Sequence, residues 1–242
     1  MDNIGVEMEI EKHKNILLSV AIMHPQNSNL RKLISTLPKG VQIVSCLTIQ
    51  SDSFTDEIEL IANTENIVSL NYYYTSYDVD FDFSKVRNYM DSYASGEWIL
   101  HIDSDEYVGN PKEELLSIIQ DLNKTDAVGA YLTIAGSMYK HDAVNELRER
   151  YANPSLRIVR NCNVMQWQGI VHEWVDSIDD DRNYVYDSNI VLLHDGYLIT
   201  DKEFQDKGIR NGKLLIREYT RNATDRIWNY MIKTFKFLQI KE

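Results

Sequence analysis

Gly96-Glu-Trp-Ile-Leu-His-Ile-Asp-Ser-Asp-Glu106 decides how the rest of the sequence is read. Trp98–Ile102 is a nearly continuous apolar run, as expected of a strand buried on both faces in a parallel sheet. It runs straight into three carboxylates, Asp103, Asp105 and Glu106. Carboxylates gathered at the carboxyl end of a central strand repel one another, and a divalent cation relieves that repulsion. Mg2+ or Mn2+ takes hard oxygen ligands and commonly bridges one or two protein carboxylates to substrate phosphates. A solvated acidic loop would leave the same Asp-x-Asp spacing. It is the position after the most apolar strand that points to a site.

Upstream, strand and helix signals alternate. Ile16–Met23 is a short apolar run rich in β-branched residues. Asn29–Leu37 carries Leu30, Leu33, Ile34 and Leu37 at helical spacing and is stopped by Pro38 and Gly40. Val41–Ile49 reads as a second strand, Asp56–Ala62 as a helix and Ile67–Tyr74 as a third strand. Ser84 is placed to cap a helix with an apolar stripe of Val86, Tyr89, Met90, Tyr93 and Ala94, ending at Gly96. Downstream, Asn110-Pro111 opens a helix with Glu113 and Glu114 in its first turn, where the dipole favours them.

Repeated β-α units of this length imply an α/β fold. The expected sheet is doubly wound and mostly parallel, with helices on both faces and right-handed crossovers. Ligands of such sheets sit beyond the carboxyl ends of the strands. The second half is richer in strands: Ala127–Tyr139, Ser155–Arg160 and Tyr184–Leu193, then a helix over Lys202–Tyr219. Tyr139–Tyr151 is polar and long, which predicts a loop near the site.

Composition narrows the class. Of 242 residues, 43% are hydrophobic and 26% charged, with only 10 Gly and 4 Pro, which excludes a disordered or low-complexity chain. The 37 acidic residues outnumber the 25 basic ones, for a net charge of −12, and tight binding to a nucleic-acid backbone needs the opposite balance. From Thr200 onward, however, 10 basic residues face 6 acidic ones, so the last fifth of the chain is distinct. Two cysteines, Cys46 and Cys162, make no disulfide framework and are expected to be buried free thiols. Acidic residues at Asp2, Glu7, Glu9 and Glu11 do not match a signal peptide, and no apolar run approaches the ~20 residues of a membrane span. A soluble, cytoplasmic protein is expected.

A series of short motifs in order resembles the family 2 glycosyltransferases of the GT-A fold. Phe83-Ser-Lys-Val-Arg87-Asn88, Gly96-Glu-Trp-Ile-Leu and Asp103-Ser-Asp105-Glu106 are similar to their central block. Arg157-Ile-Val-Arg160 with Trp167-Gln-Gly169-Ile-Val-His172-Glu173 is similar to the segment before their final strands. Leu193-His194-Asp195-Gly196-Tyr197, followed by Arg210-Asn211 and Leu214-Leu215, resembles their closing block. The resemblance covers roughly residues 15 to 220. It implies sugar transfer from a nucleoside diphosphate sugar, with a UDP-sugar expected, and inversion at the anomeric carbon. The acceptor is not legible.

Carried over residue by residue, the resemblance puts Asp103 near the donor ribose or the metal and Asp105 on the metal at the diphosphate. His194 approaches the same metal. Arg87 and Asn88 hold the donor, and Arg157, Trp167 and His172 join the substrate-binding set. Glu173 is the expected base, with Asp176 and Asp195 as alternatives. Other readings of these residues are structural: hydrogen-bonded histidines at His172 and His194, surface ion pairs for Arg157 and Arg160, and core rings for Trp167 and Trp174. His172 would orient Glu173 or bind acceptor. Aspartates usual in the family's second-strand loop stand here as Thr48 and Ser53, with Asp52 displaced by one, and the first loop, Met23-His24-Pro25-Gln26-Asn27, lacks its usual acidic residue.

Two alternatives use the same acidic feature. One is a nucleotidyltransferase, although Ile16–Asn29 contains no glycine for a phosphate loop. The other is a nucleotide- or carbohydrate-binding module whose catalysis has decayed.

Residues 1–14 read as a polar lead to a single catalytic domain over 1–222. Residues 223–242 form an amphipathic helix: Ile227, Trp228, Met231, Ile232, Phe235 and Leu238 recur at three- and four-residue steps. Arg226, Lys233, Lys236 and Lys241 outnumber Asp225 and Glu242 there. Packing on the domain or pairing with a second copy is favoured over contact with an anionic membrane.

Overall fold

The computed structural model describes residues 16–24, 30–47, 67–71, 81–139, 147–162, 165–176, 185–194 and 201–239. In chain order the elements are β1 (Leu18–His24), α1 (Leu30–Thr36), β2 (Gln42–Leu47), β3 (Ile67–Asn71), α2 (Phe83–Asp91), β4 (Trp98–Asp103), β5 (Glu106–Val108) and α3 (Lys112–Leu122). Then come β6 (Gly129–Tyr139), β7 (Leu147–Arg160), β8 (Trp167–Gln168), β9 (Trp174–Val175), β10 (Val185–His194), α4 (Asp201–Arg221) and α5 (Asp225–Gln239). The expected helix over Asp56–Ala62 lies outside the described residues.

Eight strands form one sheet in the order β3-β2-β1-β4-β7-β6-β10-β5. The first four are parallel, as the β-α repeats require, while β7 and β5 run against their neighbours. Helices cover both faces of this mixed, mostly parallel sheet, so the α/β doubly wound reading holds. Because β1 has β2 on one side and β4 on the other, chain progression reverses between β1 and β4. That is a topological switch point, where open α/β sheets bind ligands.

Alternation along the strands sends residues to two cores. Leu18, Val20 and Ile22 of β1 and Trp98, Leu100 and Ile102 of β4 pack with Leu30 and Leu33 of α1 and Leu115, Ile119 and Leu122 of α3. Ala21, Met23 and Ile99 face the other way, against Val86 and Met90 of α2. Complete burial of a large apolar side chain is worth roughly 1.5–3 kcal/mol each. Trp98 is fully buried, and its indole N–H donates to Asn123 Oδ1 at 2.5 Å.

Period-two alternation puts Asp103 on the same face as Ile99, towards α2, and Arg157 on the same face as Val159, which packs there too. β4 and β5 are separated only by Ser104 and Asp105, yet β5 pairs at the far edge with β10. The sheet must therefore curl, and the register sets His194 opposite Glu106. Curling thus brings the last strand back to the acidic turn.

Four local expectations change. Asp82, not Ser84, caps α2: its carboxylate accepts from Lys85 N at 3.2 Å and from the Ser84 hydroxyl at 2.7 Å. The charged acceptor sits before the first turn, where the free N–H groups point, and Ser84 lies inside it. The helix stops at Asp91, short of Gly96. The polar segment expected as a loop is partly strand, since β7 begins at Leu147 and pairs with Tyr139 of β6. Backbone hydrogen bonds carry that hairpin regardless of side-chain polarity, and residues 140–146 lie outside the described set. Finally, Cys46 is buried but Cys162, just past the end of β7, is only half-buried.

Among the described residues no helix is long and apolar enough to cross a membrane. The amphipathic α5 lies against α4: Ile227 joins Leu214, Leu215, Ile170 and Val171 in a third apolar cluster.

Candidate active site

The acidic turn sits at the switch point. Met23 of β1 is in register with Asp103 of β4, and Ser104 N donates to Met23 O at 3.1 Å, fixing the end of β4 to the end of β1. Two guanidinium groups reach Asp103 from different elements. Arg87 of α2 approaches Oδ1 through Nη2 at 3.4 Å, and Arg157 of β7 approaches Oδ2 through Nη2 at 3.4 Å. Burial would raise the Asp103 carboxyl, but Arg157 and Arg87 outweigh it and hold it down at about 2. Its side chain is 31% exposed, so this ionised carboxylate is partly accessible.

Both arginines are shared with a second carboxylate. Arg157 Nη2 lies 2.5 Å from Glu106 Oε1, and Glu106 Oε2 accepts from Asp103 N at 3.0 Å. Glu106 is 2% exposed. Burial, supported by the nearby Asp103 charge, pushes its carboxyl up to about 7 although Arg157 opposes the shift. Glu106, read in the sequence as the third carboxylate of the turn, is therefore a buried support for Arg157. Arg87 Nε bonds Glu173 Oε1 at 2.5 Å, joining the 170–175 segment to the same network. Burial lowers the pKa of Arg87 and Arg157, but their carboxylate partners more than reverse that and keep both charged.

Asp105 meets a different partner. Its carboxylate is 42% exposed, and Oδ2 lies 3.2 Å from Nε2 of His194, the last residue of β10. This pair follows from the β10–β5 register, which no local pattern reveals. Among the described residues no group of three or more His, Cys, Asp or Glu side chains stands close enough to form a metal cage. One accessible carboxylate and one imidazole nevertheless fit the way Mg2+ and Mn2+ are held in phosphate sites, where substrate oxygens and water complete the shell. Asp103, the other expected ligand, is engaged by two guanidinium groups.

The sequence reading missed Lys207. This α4 side chain is half-buried, and burial lowers its pKa, while Asp105, Asp103 and Glu106 lie near enough to favour its charged form. Lys207 precedes Arg210 by one helical turn, and that spacing from the quoted Arg210-Asn211 pair was the available signal. Arg210 itself donates to Asn211 Oδ1 at 2.8 Å.

Other expected residues are engaged structurally. Asn88 donates to Trp167 O and accepts from Trp167 N, each at 2.9 Å, so both ends of its amide pin β8 to α2. Trp167 is a core ring: its indole N–H lies 3.1 Å from Asp91 Oδ2 and 3.2 Å from His101 Nε2. Arg160 pairs with Glu97 at 3.4 Å and stacks 4.4 Å over Trp98, the surface role its alternative reading gave. His172 stacks on Tyr230 of α5, and burial lowers its pKa. Asp176 is exposed and accepts from Trp174 Nε1 at 2.9 Å. Asp195 lies outside the described residues.

No protein-family model matches the sequence, and no curated protein matches it. Among solved structures the chain is similar to S. aureus TarS 1–349 in complex with UDP, at 13% identity and a TM-score of 0.48, covering 92% of this chain and 70% of that one. The same protein in complex with UDP-GlcNAc gives 15% identity and a TM-score of 0.48, over 93% and 74% of the two chains. Against the longer S. aureus TarS structure the values are 14% and 0.47, over 90% of this chain and 43% of that one. The site's own residues, and not these likenesses, decide its chemistry.

Proposed function

We propose that the protein is a glycosyltransferase that moves a sugar from a nucleoside diphosphate donor, expected to be a UDP-sugar, to a hydroxyl acceptor with inversion. The observation that carries this reading is the turn at the switch point, where two guanidinium groups hold Asp103 ionised and Asp105 faces His194. Ribose hydroxyls would donate to Asp103, whose depressed pKa keeps it an acceptor throughout the neutral range. A diphosphate would then lie beyond Asp105, within the field of Lys207. Mn2+ or Mg2+, held by Asp105 and His194, would supply positive charge against the diphosphate as it departs. Lys207 contributes to the same end, since a preorganised charge aimed at the leaving group favours the transition state.

Glu173 would act as the base. Arg87 holds Oε1, and among the described residues no group bonds Oε2, which leaves one oxygen to take the acceptor proton. In the transfer, the acceptor oxygen forms its bond to the anomeric carbon as the bond to the diphosphate oxygen breaks. The hydroxyl proton passes to Glu173, and the bonding pair leaves with the diphosphate. Inversion needs this carboxylate on the face of the ring opposite the leaving group, the transfer counterpart of inverting hydrolysis.

The Arg87–Glu173 ion pair favours a second reading, a binding module, because it already gives this carboxylate a structural partner. Thermal unfolding against a panel of nucleotide sugars, with Mn2+ or with EDTA, tests the binding step. A donor at a hundred times its Kd should add about 2.7 kcal/mol, or roughly 5–11 °C for a chain of this size. Release of nucleoside diphosphate from the stabilising donor then separates enzyme from binder. A panel without any stabilising nucleotide sugar would sink the donor assignment.

A further inference from the structure

Helices α4 and α5 converge on the residues flanking Glu173. His172 stands at φ 56°, in the left-handed region that few non-glycine residues adopt. A backbone of that kind persists only where its surroundings over-determine it. Those surroundings are identifiable. Gly169 stands at φ 90°, and a Cβ there would meet the Trp174 ring at 2.4 Å, so the segment folds back on its own start. Buried Glu218 of α4 lies beside this segment, its Oε1 3.3 Å from where a Cβ on Gly169 would stand, and Phe83 N of α2 donates to Ile170 O at 3.0 Å. From α5, Ile227 packs on Ile170 and Val171, and Tyr230 lies flat on the His172 ring with centroids 4.3 Å apart and planes 4° apart. Arg226 stands 4.6 Å over the Trp174 ring. The final helix thus grips the residue before Glu173 and the residue after it.

We propose that Tyr230 and His172 form a clamp through which the final helix aims Glu173, making both of them positioning residues for the transfer reaction. The inference rests on the reading of Glu173 as base. The stack fixes the plane of the imidazole, and the left-handed backbone of His172 fixes the direction in which the chain enters Glu173. Arg87 holds the far end of the same side chain through Oε1. Without the Tyr230 ring, His172 relaxes towards ordinary negative φ, which turns the peptide leading into Glu173. A misplacement of about 1 Å at a reacting group costs on the order of 10²-fold in rate.

The test measures nucleoside diphosphate release from the donor that the panel selects. Tyr230→Ala should lower kcat about 10²-fold with KM for the donor unchanged. Tyr230→Phe, which keeps the ring, should restore kcat. Added to Glu173→Gln, Tyr230→Ala should slow turnover no further, because a residue acting through Glu173 alone has nothing left to aim. Amide hydrogen exchange should rise over residues 169–175 and not across the sheet. A normal kcat in Tyr230→Ala overturns the clamp and leaves Glu173 as base. The same follows if the variant slows the Glu173→Gln protein as much as the wild type, or if exchange rises throughout the sheet. Full turnover in Glu173→Gln alone overturns the base assignment itself.

Discussion

Arg157→Met removes a guanidinium that Glu106 and Asp103 share, and its cost should depend on pH. The Arg157 side chain is 11% exposed, with Nη2 2.5 Å from Glu106 and 3.4 Å from Asp103. Removing one partner of a buried pair costs roughly 3–5 kcal/mol, because the remaining charge is uncompensated. Glu106 can escape that cost by taking up a proton, since burial already holds its carboxyl at about 7. The sign follows from linkage. A carboxyl raised from 4.5 to about 7 on folding contributes stability that is complete below pH 4.5 and lost as pH climbs through 7. Without Arg157 the folded pKa climbs further, and the loss continues at higher pH.

At pH 9, above its pKa of about 7, Glu106 is ionised in the folded wild type, and each pH unit of that ionisation is worth roughly 1–1.5 kcal/mol. A variant whose carboxyl stays protonated at that pH gains almost nothing. Between pH 6 and pH 9 the gap between the two proteins should therefore widen by roughly 2–3 kcal/mol, or about 4–12 °C in Tm. Circular dichroism melts of both proteins at the two pH values, in EDTA, measure it. Adding Glu106→Gln to the variant should erase the pH-dependent part. An equal gap at both pH values would refute the role assigned to the buried carboxylate.

Asp105→Asn should lower turnover at least about 10²-fold, as expected on loss of an electrostatic contact to the transition state; turnover and donor binding unchanged by EDTA would remove the metal from the mechanism. Gly96→Ala would set a Cβ 2.4 Å from Ser19 N and 2.7 Å from the Leu18 carbonyl carbon, so β1 must move. A drop of about 1–3 kcal/mol in urea-measured stability is expected, and an unshifted midpoint would show that the strand edge yields freely. Burial pushes the Cys46 thiol up to about 12, so at pH 8 a thiol reagent should label it only when the protein unfolds. Rapid labelling of Cys46 in the native protein would contradict its place in the core.

β4 was legible because a strand buried on both faces needs apolar residues at consecutive positions, and Trp98–Ile102 supplies them. The helices α1 and α2 were legible for a similar reason, since their apolar residues repeat at the helical period, and α3 was legible from its Asn110-Pro111 start and acidic first turn. Capping at Asp82 was missed because Ser84 is an equally good cap by type, and only the course of the backbone decides which residue stands outside the first turn. Asn88 and Trp167 show the limit from the other side. The two motifs that carry them implied substrate-binding roles, and only packing shows that each also engages the other.

By itself, then, the sequence determined the alternation of strands and helices, the mostly parallel sheet and the acidic turn at the carboxyl end of its central strand. These depend on periodicity within a dozen residues, where local burial imposes the residue type. Only the tertiary structure decided which charges that turn would meet. Asp103 and Arg157 come together because β7 inserts beside β4, and Asp105 and His194 because the sheet curls until β10 pairs with β5. His172 and Tyr230 stack because α5 folds back over the segment bearing Glu173. Partners this far apart leave no periodic trace, since strand order and sheet curvature arise from the packing of the whole chain.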